Sequence, residues 1–133
     1  MRIERLGDPG DASSVLRALG SAATSLRLAP PAALVGAWFG SRAVIAPSLT
    51  AEEVPARGVF DVAPGHRADG SVGGGWFGYL SYPDAGADGL GPRIPQAAGG
   101  WADSVLRCDA DGIWWHESLS GMPLSGWVSD ALQ

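Results

Sequence analysis

The chain has 133 residues, a net charge of −5 and a sequence pI near 4.7, which suits one domain and excludes a partner that needs a basic face, such as nucleic acid. All nine basic residues are arginine, so Schiff-base chemistry and a lysine-bearing phosphate loop are excluded. Six tryptophans and a 46% hydrophobic share supply a core, so the 20 glycines and 10 prolines read as long ordered loops rather than disorder. The single cysteine, Cys108, has no internal disulfide partner. The apolar runs are too short to span a bilayer, and Met1-Arg2-Ile3-Glu4-Arg5 lacks the apolar core of a leader. These features point to a cytoplasmic protein with no membrane partner.

Residues 2–6 read as a short strand with Ile3 among charged neighbours. Asp11 is a candidate N-cap for a helix over 12–19, with Val15, Leu16 and Leu19 as its apolar stripe and Gly20 as its stop. A connector over 21–31 holds a brief strand near 26–28. Residues 33–39 are apolar and read as a buried strand, turned by Gly40-Ser41 into a second strand over 42–47. Residues 50–57 read as an edge strand or loop, 59–62 as a short strand and 64–71 as a polar loop.

The stretch Gly73-Gly74-Gly75-Trp76-Phe77-Gly78-Tyr79-Leu80-Ser81-Tyr82-Pro83 is the pivot of the pattern. Aromatic residues fall on both of its period-two faces, which predicts a strand buried on both sides. Gly78 within it allows another backbone to come close. Gly73, Gly75 and Gly78 also fit G-x-G-x-x-G, but turn-like residues precede them and strand formers follow, so the dinucleotide reading fails. Residues 84–100 read as an irregular excursion. A hairpin follows, 102–108 out and 113–118 back, with Asp111-Gly112 marking the turn. The tail after Leu119 carries no readable element. No internal repeat is present. The sum is an α+β fold, mostly antiparallel sheet with one short helix, as a single domain over 1–133.

No catalytic constellation emerges. His66 with Asp69 reads as a solvated loop pair. His116 and Glu117 are adjacent in a strand and face opposite ways. Cys108 beside Arg107 reads as a small core residue. Asp109 and Asp111 are turn residues, and Asp84 and Asp88 lack a third ligand. Nothing has metal-site spacing. Trp114 and Trp115 face opposite sides, one inward and one toward a second layer.

Gly74-Gly75-Trp76-Phe77-Gly78-Tyr79-Leu80-Ser81-Tyr82 resembles a segment in the N-terminal part of chorismate-utilising component I enzymes, the aminodeoxychorismate and anthranilate synthase large subunits. Leu34-Val35-Gly36-Ala37-Trp38-Phe39-Gly40-Ser41-Arg42-Ala43-Val44-Ile45-Ala46 resembles an earlier segment of the same region, and Ser104-Val105-Leu106-Arg107 with Gly112-Ile113-Trp114-Trp115 resembles the strand pair that follows. The aminodeoxychorismate branch fits best.

The resemblance implies one half of a layered sandwich, with catalysis and Mg2+ in a chorismate-binding domain that this sequence does not include, and no cofactor in this chain. It also implies a glutamine amidotransferase subunit as a further partner of the whole enzyme. Where some members carry Leu-Leu-Glu-Ser at a tryptophan site, this chain has Leu34-Val35-Gly36-Ala37, so Val35, Gly36, Ala37, Ser41 and Arg42 would form only a degenerate pocket. The expected role is packing and scaffolding, with an apolar face that needs a second domain or a second copy. The rival expectation is a stand-alone small-molecule-binding or protein-interaction module on the same sheet.

Overall fold

In the computed structural model, which describes residues 1–59, 70–81 and 94–133, eight strands form two antiparallel sheets with two helices. The larger sheet contains β1 (Arg2–Arg5), β2 (Ala32–Trp38), β3 (Ser41–Ala46), β7 (Ser104–Asp109) and β8 (Trp114–Ser118), in the order β1-β8-β7-β3-β2. The smaller contains β4 (Glu52–Glu53), β5 (Gly75–Leu80) and β6 (Ala97–Ala102), in the order β4-β6-β5. The helices are α1 (Ala12–Ser25) and α2 (Gly126–Ala131). The fold is α+β, as the strand and turn pattern predicts.

The large sheet lies between two layers because both of its faces are apolar. On one face Ala43, Ile45, Leu106, Cys108 and Trp114 pack with Val15 and Leu19 of α1 and Val128 of α2. On the other, Val44 and Val105 meet Val72 and Phe77, and Ala46 meets Leu49 and Ala102. Neighbouring residues of β3 therefore serve different clusters, as the period of two requires.

Helix α1 starts where the sequence says. The Asp11 carboxylate accepts from the Ser14 N–H at 2.7 Å, and Val15, Leu19 and Ala23 form its buried stripe. It does not stop at Gly20. It runs to Ser25 and ends in a Schellman turn, with Arg27 N–H on the Thr24 carbonyl at 3.2 Å and Leu28 N–H on the Ala23 carbonyl at 2.9 Å. Arg27 takes the left-handed conformation that glycine usually supplies there, φ 57°. The brief strand expected near 26–28 is this turn.

Other expectations change with the tertiary structure. Strand β2 is an edge strand whose second half is exposed rather than buried. Its turn is Phe39-Gly40, one residue earlier than expected, with both residues at positive φ, 51° and 70°. Strand β5 is likewise an edge, exposed at Tyr79 and Leu80, and is not buried on both sides. The strand that pairs centrally is β6, in a stretch expected to be irregular. Ala97-Ala98-Gly99-Gly100 lacks strand formers, yet pairs with β5 in register Gly78↔Gly99. A Cβ at either glycine would collide with the Trp76 indole and with a facing backbone carbonyl, so the two glycines seat that ring. The expected strand over 59–62 lies outside the described residues beyond Val59, as do His66, Asp69, Asp84 and Asp88. The tail does contain an element, α2, docked on the α1 side by Val128.

The Arg27 turn yields a prediction. Arg27→Gly should stabilise the chain by about 0.5–1 kcal/mol, since glycine adopts positive φ without the Cβ penalty that arginine carries. Urea denaturation of the two proteins measures it.

Candidate functional site

Strand β8 sends Trp114 and His116 to the helix side of the sheet and Trp115 and Glu117 to the other. All of its charged chemistry follows from that alternation. Glu117 is fully buried, 0% exposed. Its Oε1 accepts from Arg107 Nε at 2.5 Å, and its Oε2 accepts from the backbone N–H groups of Val72 and Gly73 at 2.6 and 2.8 Å. Arg107 Nη1 also reaches Ser41 Oγ at 3.4 Å. Gly73 sits at φ 80°, which turns two successive N–H groups onto one oxygen. Every polar position of Glu117 is used internally, so this is a structural clamp.

His116, on the opposite face, is nearly as buried. Its Nδ1 lies 3.0 Å from Glu4 Oε2, which also accepts from the Leu124 N–H at 3.2 Å. Arg2 Nη2 holds the other Glu4 oxygen at 2.5 Å. Arg2 first, then His116, draw the Glu4 carboxyl from its ordinary 4.5 down to about 2. The bond to Leu124 ties the C-terminal segment to β1 and β8.

Beyond His116 the sheet side opens into a cleft of about 310 Å³, walled by Trp101, Asp103, Met122, Leu124 and Trp127. Asp103 sits between β6 and β7. Its Oδ2 accepts from Ser118 Oγ at 3.2 Å and Ser120 Oγ at 2.5 Å, and its carbonyl from the Leu119 N–H at 2.9 Å. A second cleft of about 240 Å³ lies between residues 6–9 and the end of α2. Among the described residues, no group of three or more His, Cys, Asp or Glu side chains could hold a metal ion, and no helix is long and apolar enough to cross a membrane.

The residues singled out from the sequence are dispersed. Val35, Gly36 and Ala37 lie exposed on β2, with a register shift between Val35 and Trp38. Ser41 is buried beside Arg107, while Arg42 is exposed and approaches the Gly112 turn. None of the five lines either cleft. Cys108 is a buried core residue, and burial pushes its thiol up. Asp109 organises the turn, accepting from the N–H groups of Asp111 and Ile113 and from Trp115 Nε1. The indole bond is the largest of the causes that hold its carboxyl down. Sequence reasoning separates His116 from Glu117 correctly, but it misses Glu4, Asp103 and Trp101. The available signal is Glu117 itself, an acid beside two tryptophans in a short strand, which demands a partner if that strand is buried.

No family model, no curated protein and no solved structure matches the chain.

Two outcomes follow from these charges. Glu117→Ala leaves Arg107 and two buried N–H groups without their acceptor and should cost about 3–5 kcal/mol in a denaturant melt. Glu4 acts through pH. Its folded value is depressed, so its contribution is complete above its ordinary 4.5 and is lost as pH falls toward about 2. Glu4→Gln should therefore shrink the stability gap between pH 6 and pH 3 relative to the parent, as thermal melts at the two pH values would record.

Proposed function

We propose that this chain is the non-catalytic N-terminal half of an aminodeoxychorismate synthase component I-like protein, serving in domain packing and scaffolding. In that reading chorismate amination, Mg2+ and contact with ammonia from a glutamine amidotransferase belong to the rest of the assembly, and the setting is cytoplasmic. The observation that carries the reading is the open edge of the large sheet. Val35 is 59% exposed, Trp38 44% and Phe39 57%, and the two rings lie side by side at 6.4 Å. Large apolar side chains gathered at one rim mark an interaction surface.

The details of that edge define the kind of contact. Gly36, at φ 122°, lies where the β2 register shifts. The irregularity interrupts the ladder, so a partner meets side chains rather than adding a strand. Phe39 occupies a turn position that Asn or Gly would fill with less strain. An aromatic ring there serves contact better than it serves the turn. The missing Glu and Ser at Gly36 and Ala37 also make free tryptophan a poor ligand for this half.

Sedimentation tests the reading. The chain alone should self-associate, and mixing it with a component I chorismate-binding domain should give a stable one-to-one complex. Val35→Asp with Trp38→Ser should abolish both. A parent chain that stays a compact monomer and ignores the chorismate-binding domain would refute the proposal.

A further inference from the structure

We propose that the cleft beside His116 is a binding site for a small organic cation, an amine carried on an aromatic or other apolar body. The volume of about 310 Å³ falls at the lower end of ligand-site size, and the lining has the usual make-up of apolar walls with a few convergent polar groups. Trp101, Trp127, Met122 and Leu124 supply the walls. His116 and Asp103 supply the titratable polar groups, beside the hydroxyls of Ser48, Ser104 and Ser125.

A purely structural role explains only half of His116. Its Nδ1 faces Glu4 at 3.0 Å, and a carboxylate can only accept, so Nδ1 carries the proton of that bond. The bond fixes the ring and leaves Nε2 as the other nitrogen. Nε2 makes no hydrogen bond among the described residues, and since no buried side-chain nitrogen is left without a partner there, it meets the solvent of the cleft that His116 lines. In the neutral ring that nitrogen is an acceptor. Asp103 repeats the pattern: Ser118 and Ser120 occupy Oδ2, while Oδ1 takes no hydrogen bond among the described residues. Neighbouring Trp101 is 57% exposed and lines the cleft, so much of its indole is open to a ligand.

The charge of the ligand follows. Among the described residues no arginine lines the cleft, and the one fixed charge there is the Asp103 carboxylate. An anion would meet that carboxylate with no cation to offset it. An ammonium group donates to Asp103 Oδ1 and His116 Nε2, and indole faces attract a cation as well. The net charge of −5 acts in the same direction. The site is on the helix side of the sheet and does not depend on what meets the β2 edge.

Phenethylamine and phenylacetate, which share a body and differ in charge, are the probes. Calorimetry on the full chain should give saturable binding of the amine with a Kd at least tenfold below that of the acid. Asp103→Asn should weaken the amine about tenfold. Because Asp103 also holds two serine hydroxyls, Trp101→Leu, a change at an exposed ring, serves as the second variant and should weaken it at least threefold at an unchanged Tm. Equal affinity for amine and acid, no saturation with either, or parent-like amine binding by Trp101→Leu would overturn the assignment.

Discussion

Glu117 is the group on which the two halves of this structure depend. A carboxylate withdrawn from water is costly unless its lone pairs are filled, and this one is filled from two directions. Arg107 comes from the neighbouring strand of the same hairpin, whereas the N–H groups of Val72 and Gly73 come from a segment more than forty residues distant in sequence. The ion pair is therefore also a pin. It fixes residues 72–73 over the sheet, and Gly74 and Gly75 carry the chain directly into β5. Phe77 then reaches Val44 and Val105. A Cβ at Gly74 would press on the Ala102 and Asp103 carbonyls, so the close approach of the two segments requires glycine there.

The same approach explains how one chain serves both sheets. Strand β6 ends at Ala102 and β7 begins at Ser104, leaving Asp103 alone at the crossing. Its side chain and carbonyl hold residues 118–120, which steers the chain after β8 back across the sheet. Glu4 then catches Leu124, and α2 docks beside α1. The cleft is what remains where the sheet switch, the end of β8 and the returning segment fail to close on one another. Asp103, which performs the first of these turns, is one of its polar groups.

The two faces of the large sheet thus differ in how fully they are covered. The helix side is covered over β3, β7 and the first half of β8, and opens at His116. The opposite side is covered where the small sheet and the Glu117 clamp reach it. Coverage runs out toward β2, where apolar side chains meet solvent. A packing role for the chain and a ligand site in the cleft use different parts of this surface and are compatible.

The sequence by itself determined the elements whose signals are local. Asp11 announces a helix start, Asp111-Gly112 announces a hairpin, and the strand alternation separates Trp114 from Trp115 and His116 from Glu117. Those features follow from hydrogen bonds and side-chain periodicities a few residues long. Tertiary structure decided the rest. Strand β6 exists because Gly99 accommodates the Trp76 ring of a strand over twenty residues away, which no propensity for Ala-Ala-Gly-Gly conveys. The exposure of β2 and β5 reflects their place at sheet edges, and apolar composition cannot distinguish an edge from a centre. Asp103, Trp101 and His116 share a cleft only because the chain changes sheets at Asp103 and returns after β8, and Glu4 reaches it only through His116. An acid in a strand with two tryptophans signals that a partner must exist; only the folded chain says that the partners are Arg107 and the N–H groups of Val72 and Gly73, because burial makes that pairing compulsory while the topology chooses which groups arrive.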